Sequence, residues 1–99
     1  MQDYTTKEKA AIINLLSLIM EADNIIDPKE VEYMDKVLSD MHVTPLDLDK
    51  MENKDIEFNK NVYNEMSLNK RQEAMSMFKH MAAVDGNVDP REMDIIKYL

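Results

Sequence analysis

The 99-residue chain contains no cysteine and no tryptophan, one glycine, three prolines and two histidines. Without cysteine there is no disulfide scaffold, no thiolate metal site and no cysteine nucleophile. His42 and His80 are too few for a typical zinc-enzyme site. A single glycine, Gly86, excludes the glycine-rich phosphate loops of nucleotide enzymes. Positive charge is scarce: 12 Lys and Arg against 20 Asp and Glu leave a formal charge of −8. An isoelectric point near 4.6 sets the chain against nucleic-acid phosphates and anionic lipid. Long apolar runs are missing too. The most apolar stretch, residues 10–20, is interrupted by Asn14 and Ser17, whereas a membrane-spanning helix needs roughly 18 or more apolar residues. Met1-Gln2-Asp3-Tyr4 lacks the basic region of a targeting signal. No nucleophile–base pair or cofactor motif stands out. The expectation is a soluble, cytoplasmic, non-enzymatic protein with no nucleic-acid partner and no membrane insertion.

What is present is helix punctuation, from end to end. Thr5-x-x-Glu8 forms a capping box, and Ile12, Leu15, Leu16 and Ile19 follow at helical spacing. Only Asn14, Ser17 and Glu21 make a polar stripe, which predicts a helix covered on most sides and central to the domain. Asp27-Pro28-Lys29-Glu30 places Asp at the N-cap, Pro at the first helical position and Glu three residues after the cap. Ile26 and Val31 fit a hydrophobic staple around that cap, and Val31, Met34, Val37, Leu38 and Met41 form an apolar face. Thr44-Pro45-Leu46-Asp47 repeats the cap logic for a short third helix. Between residues 52 and 66 the pattern is loose and Asn53, Asn59, Asn61 and Asn64 weaken it, so one short helix is expected there. Ser67 caps a fifth helix with Ala74, Met77, Phe78 and Met81 on its apolar face, and Asp89-Pro90-Arg91-Glu92 opens a sixth.

The most informative pattern recurs at an offset of 62 residues. Asp23-Asn24-x-Ile26-Asp27-Pro28-Lys29-Glu30 corresponds to Asp85-Gly86-x-Val88-Asp89-Pro90-Arg91-Glu92, with the preceding helices in phase (Ile12 with Ala74, Leu16 with Phe78, Ile19 with Met81). Each copy is an apolar helix, a short link and a capped helix. Two such hairpins bury their faces by packing on each other. The chain therefore reads as one all-α domain over residues 1–99, with repeat copies at about 5–41 and 67–99 joined by 42–66. Helix chemistry accounts for much of the motif. Asn24 and Gly86 suit a left-handed helix end, and Asp27, Glu30, Asp89 and Glu92 suit two capping boxes. Asp23 and Asp85 fit less well. Helical geometry aims both at the interhelical seam, and both lie at helix C-termini, where the macrodipole disfavours negative charge. Each calls for a partner: a helix N-terminus, a basic side chain or a cation.

The second copy imitates the latter half of an EF-hand loop. Reading backwards puts Met81 and Ala83, or Ile19 and Glu21 in the first copy, at the leading ligand positions. Both first-position ligands are missing, so this is not an EF-hand. The two copies, 22–30 and 84–92, instead resemble the Ala-Asp-Gly-x-Ile-x-x-x-Glu signature of the TerB family of tellurite-resistance proteins, a domain also found in the DjlA co-chaperone. Asn24 stands where the first copy of that signature has glycine. The resemblance implies an all-helical domain of five to six helices and a stress-associated module. It also implies divalent-metal binding by Asp23, Glu30, Asp85 and Glu92, with Asp27 and Asp89 flanking. Two carboxylates about 6 Å apart repel by roughly 3 kcal/mol at an effective dielectric of about 20, which a hard cation would relieve. Oxygen-only ligands favour Ca²⁺, Mg²⁺ or Mn²⁺.

Residues 21–49 hold nine acids against Lys29 and Lys36. This run is either a solvated face or a docking surface for a protein partner with a basic surface. Most of the ten methionines, among them Met20, Met34, Met75, Met77, Met81 and Met93, fall at or near apolar positions and suit an adaptable core. His42 and His80 read as surface residues. Two functions stay open at this point. One is a stress-response module that binds a cation or a partner through its signatures. The other is a metal-independent adaptor whose signature acids are helix caps.

Overall fold

Side-chain caps set the helix boundaries. The computed structural model describes residues 1–84, 86 and 88–99, and over these the chain forms α1 (Thr6–Glu21), α2 (Pro28–Asp40), α3 (Pro45–Met51), α4 (Ile56–Asn64), α5 (Leu68–Ala83) and α6 (Pro90–Tyr98). Among the described residues there is no strand. Thr5, Asp27 and Thr44 each close a full capping box, with Glu8, Glu30 and Asp47 reaching back to the cap amide. Ser67 caps α5 and Asp89 caps α6, as their spacing predicts. Proline sits in the first turn of α2, α3 and α6, where its missing N–H costs nothing.

Backbone handedness ends the helices. Asn24 (φ 61°) and Gly86 (φ 86°) occupy the left-handed region at matched positions of the two links, as expected from their residue types. His42 is also left-handed, at φ 58°. There the Val43 N–H returns to the Leu38 carbonyl at 2.9 Å and the His42 N–H to Ser39 at 3.1 Å, a Schellman-type end to α2 built without glycine.

α1 is central, packing most extensively on α4 and then on α5 and α6, with α2 and α3 at its margins. The two hairpins exchange contacts: α1 meets α6, and α5 meets α2. The in-phase pairs Ile12 and Ala74, Leu16 and Phe78, and Ile19 and Met81 are all completely buried. Met34, Met77 and Met81 lie inside, and Met20, Met75 and Met93 pack against the core from its edge. Ahead of α1, Tyr4 is buried and donates its hydroxyl hydrogen bond to Glu73 at 2.8 Å, which ties the chain start to α5.

Two expectations need correction. Ile26 and Val31 stay 52% and 42% exposed, so little apolar surface is covered at the α2 cap and Val31 is not on the core face. The buried line of α2 runs instead through Glu30, Met34 and Val37 to Met41, at offsets of four, seven and eleven. The asparagines of 52–66 also do more than weaken a helix. Asn59 is fully buried and donates to the carbonyls of Asn53 (2.8 Å) and Asp55 (2.9 Å). Asn14 donates to the Met51 carbonyl at 2.9 Å and accepts from the Asn53 N–H at 3.1 Å. The polar stripe of α1 thus holds the α3–α4 link, while Asp55 caps α4.

Candidate functional site

The repeated signatures fall at the links between α1 and α2 and between α5 and α6. In the first link α2 is about to begin, and the first amides of a helix have no intrahelical acceptor, so side chains take them. Asp23 is half-buried there, and its Oδ1 accepts from the Ile25 N–H at 3.0 Å. Asp27 accepts from the Lys29 N–H at 2.8 Å, and Glu30 Oε1 accepts from the Asp27 N–H at 3.1 Å. In the second link Asp85 lies outside the described residues. Asp89 takes the Arg91 N–H at 2.8 Å and also grips the Arg91 guanidinium through both oxygens, at 3.1 and 3.0 Å.

This geometry sets the charges. The Arg91 side-chain hydrogen bonds and then its backbone amide hold the Asp89 carboxyl below the usual carboxylate range. Arg91 is raised in turn by Asp89, and beyond it by the field of Asp23. α6, which Asp89 opens, packs on α1, whose C-terminal end leads into the first link.

Glu30 and Glu92 are the acids whose placement departs furthest from an ordinary cap. They are only 3% and 2% exposed. Glu30 begins the buried stripe of α2, and Glu92 stands four residues before the buried Ile96 on α6. Glu30 Oε1 serves the cap, whereas its Oε2 is buried without a hydrogen-bond partner. The helical spacing to Met34 and Ile96 is a sequence signal for this burial, masked by the fit of both glutamates to a capping box.

As a fit for a hard cation, the described residues contain no group of three or more Asp, Glu or His side chains. The donors at hand around the first signature are Asp23 and the orphaned oxygen of Glu30.

Around these acids the surface is unexpectedly apolar. Ile25, Ile26 and Val88 are 67%, 52% and 55% exposed, and Ile26 and Val88 hold the same place in the two signatures. In the sequence the fit of Ile26 to a hydrophobic staple conceals its exposure. The histidines are both exposed, as expected, but His80 has a partner from another element: its ring lies 4.2 Å from that of Tyr33, joining α5 to α2. Among the described residues no helix is long and apolar enough to cross a membrane. Compared with known proteins, residues 9–99 match a family model described as tellurite resistance protein TerB. No curated protein and no solved structure matches the chain.

Proposed function

From the premise that this chain belongs to the TerB family of tellurite-resistance proteins, we propose that it is a non-enzymatic, cytoplasmic stress-response module whose signature loops dock a protein partner with a basic surface. One observation carries this reading. Both copies expose an aliphatic residue, Ile26 and Val88, at the same signature position and beside capping acids. Capping needs the acids but gives no reason to leave these side chains in water. An apolar centre with a charged rim suits partner recognition, and the acidic run around it steers a basic partner inward. The family is generally not enzymatic, which agrees with a binding role.

The test is amide chemical-shift mapping of the chain with a basic, leucine-containing amphipathic peptide. Shifts should concentrate in residues 23–31 and 86–93, weaken with salt, and disappear in the Ile26→Asp, Val88→Asp double variant. Shifts confined to other surfaces, or none, would overturn the docking reading.

The orphaned Glu30 Oε2 favours a second reading, in which a divalent cation (Ca²⁺, Mg²⁺ or Mn²⁺) is held by Asp23 and Glu30, flanked by Asp27, with Asp85, Asp89 and Glu92 as the matching acids. Here calorimetric titration of chelator-stripped protein decides. Heat that vanishes in Glu30→Gln supports the cation. The absence of heat with all three metals removes it and leaves partner docking in place.

A further inference from the structure

The outer face of α5 carries chemistry of the opposite sign from the rest of the molecule. A groove of about 430 Å³ runs between α4 and α5, lined by Tyr63, Leu68, Arg71, Gln72, Met75 and Lys79 among others, and no carboxylate lines it. The α5 members recur at offsets of three or four, a single helical stripe about 16 Å long. Its apolar floor is the buried Tyr63 ring with the partly buried Met75, and Leu68 stands 59% exposed at one end.

The two cations here differ from Lys70, the other lysine of α5. Lys70 is paired with Glu8 at 2.7 Å. Arg71 and Lys79 have no ion-pair partner among the described residues. The Arg71 Nε is moreover buried with no hydrogen-bond acceptor, and the side chain lines the groove together with Tyr63. A cation that is not neutralised is available to an incoming anionic group, and the planar guanidinium matches a carboxylate in two-point geometry.

We propose that the α4–α5 groove binds an acidic amphipathic helix of a partner protein, with apolar side chains against Leu68, Tyr63 and Met75 and carboxylates on Arg71 and Lys79. Charge complementarity selects this occupant. On a chain of net charge −8 an acidic segment is repelled from most of the surface, which leaves this stripe as its berth and sharpens specificity. The length of the stripe sets about three helical turns for the ligand. This groove is separate from the signature loops, so the two docking proposals stand or fall independently.

A displayed library of random peptides of about 12 residues, selected on the full chain, tests the proposal. The expected winners are acidic, with apolar residues at helical spacing. They should bind at least about tenfold more weakly to Arg71→Glu and to Lys79→Glu, and equally well to the Ile26→Asp, Val88→Asp variant. Lys79 is exposed, so its variant reports on binding even if Arg71→Glu perturbs folding. Basic or uncharged winners, no enrichment, or acidic winners that bind both charge-reversed variants as well as the parent would overturn it. So would sedimentation showing self-association abolished by Lys79→Glu, which would make a second copy of the chain the occupant.

Discussion

Three residues carry the sharpest backbone requirements, and they differ in how well their side chains suit them. A left-handed residue with a Cβ is strained by roughly 1–2 kcal/mol, with asparagine the most tolerant. Gly86, at φ 86°, would set an added Cβ in open space, so Gly86→Ala isolates the backbone cost. We expect a loss of about 1 kcal/mol in urea denaturation. His42, at φ 58°, is exposed, so His42→Gly should gain about 0.5 kcal/mol once the added freedom of the unfolded chain is offset. Changes of the same sign in both variants would contradict this account. Asn24 explains itself: at φ 61° it is the residue type best able to stand in for the signature glycine.

At the scale of elements, the pairing of α1 with α5 rests on apolar burial and on one well-shielded ion pair. Glu8 and Lys70 meet at 2.7 Å with side chains only 15% and 22% exposed, against far more open pairs elsewhere. Burial pushes the Glu8 carboxyl upward, but hydrogen bonds from Lys70 and Thr5 outweigh it and hold the group below its ordinary value. A carboxyl lowered in the folded state stabilises fully above its unfolded value of about 4.3, and that contribution is lost as the pH falls through the folded value. Asp47 and Asp89 are lowered as well, by hydrogen bonds at the start of α3 and α6, and add to the same acid limb. Glu8→Gln should cost about 0.5–1 kcal/mol at pH 7 and flatten the loss of stability in acid. Thermal melts from neutral pH to pH 3 check this; an unchanged acid limb would assign the limb to other carboxylates.

The whole molecule has a radius of gyration of 12.4 Å, close to the roughly 12.6 Å expected for a folded chain of this length. Confining a net charge of −8 in that volume sets carboxylates against one another. Its open ion pairs, Lys36–Asp40 and Lys54–Glu21, contribute little in return. Raising the salt from low to physiological concentration, where the Debye length is about 8 Å, should therefore raise the melting temperature at pH 7 by a few degrees. A fall would mean that attractive pairs outweigh self-repulsion.

Where helices begin and how the links turn was legible in the chain itself, because caps, first-turn prolines and left-handed residues act within about four positions of one another. For that reason Asp27, Thr44, Ser67 and Asp89 appear in their expected places, and the duplicated signature was visible as a family resemblance. Burial and partnership needed the fold. Asn14 meets the Met51 carbonyl 37 residues away, and His80 meets Tyr33 on another hairpin. Glu30 becomes a core residue only because α2 turns that face inward, and Arg71 has no ion-pair partner among the described residues because the fold brings no acid to its groove. Local hydrogen bonds are written in neighbouring letters, whereas desolvation and charge pairing depend on which distant surfaces close on each other.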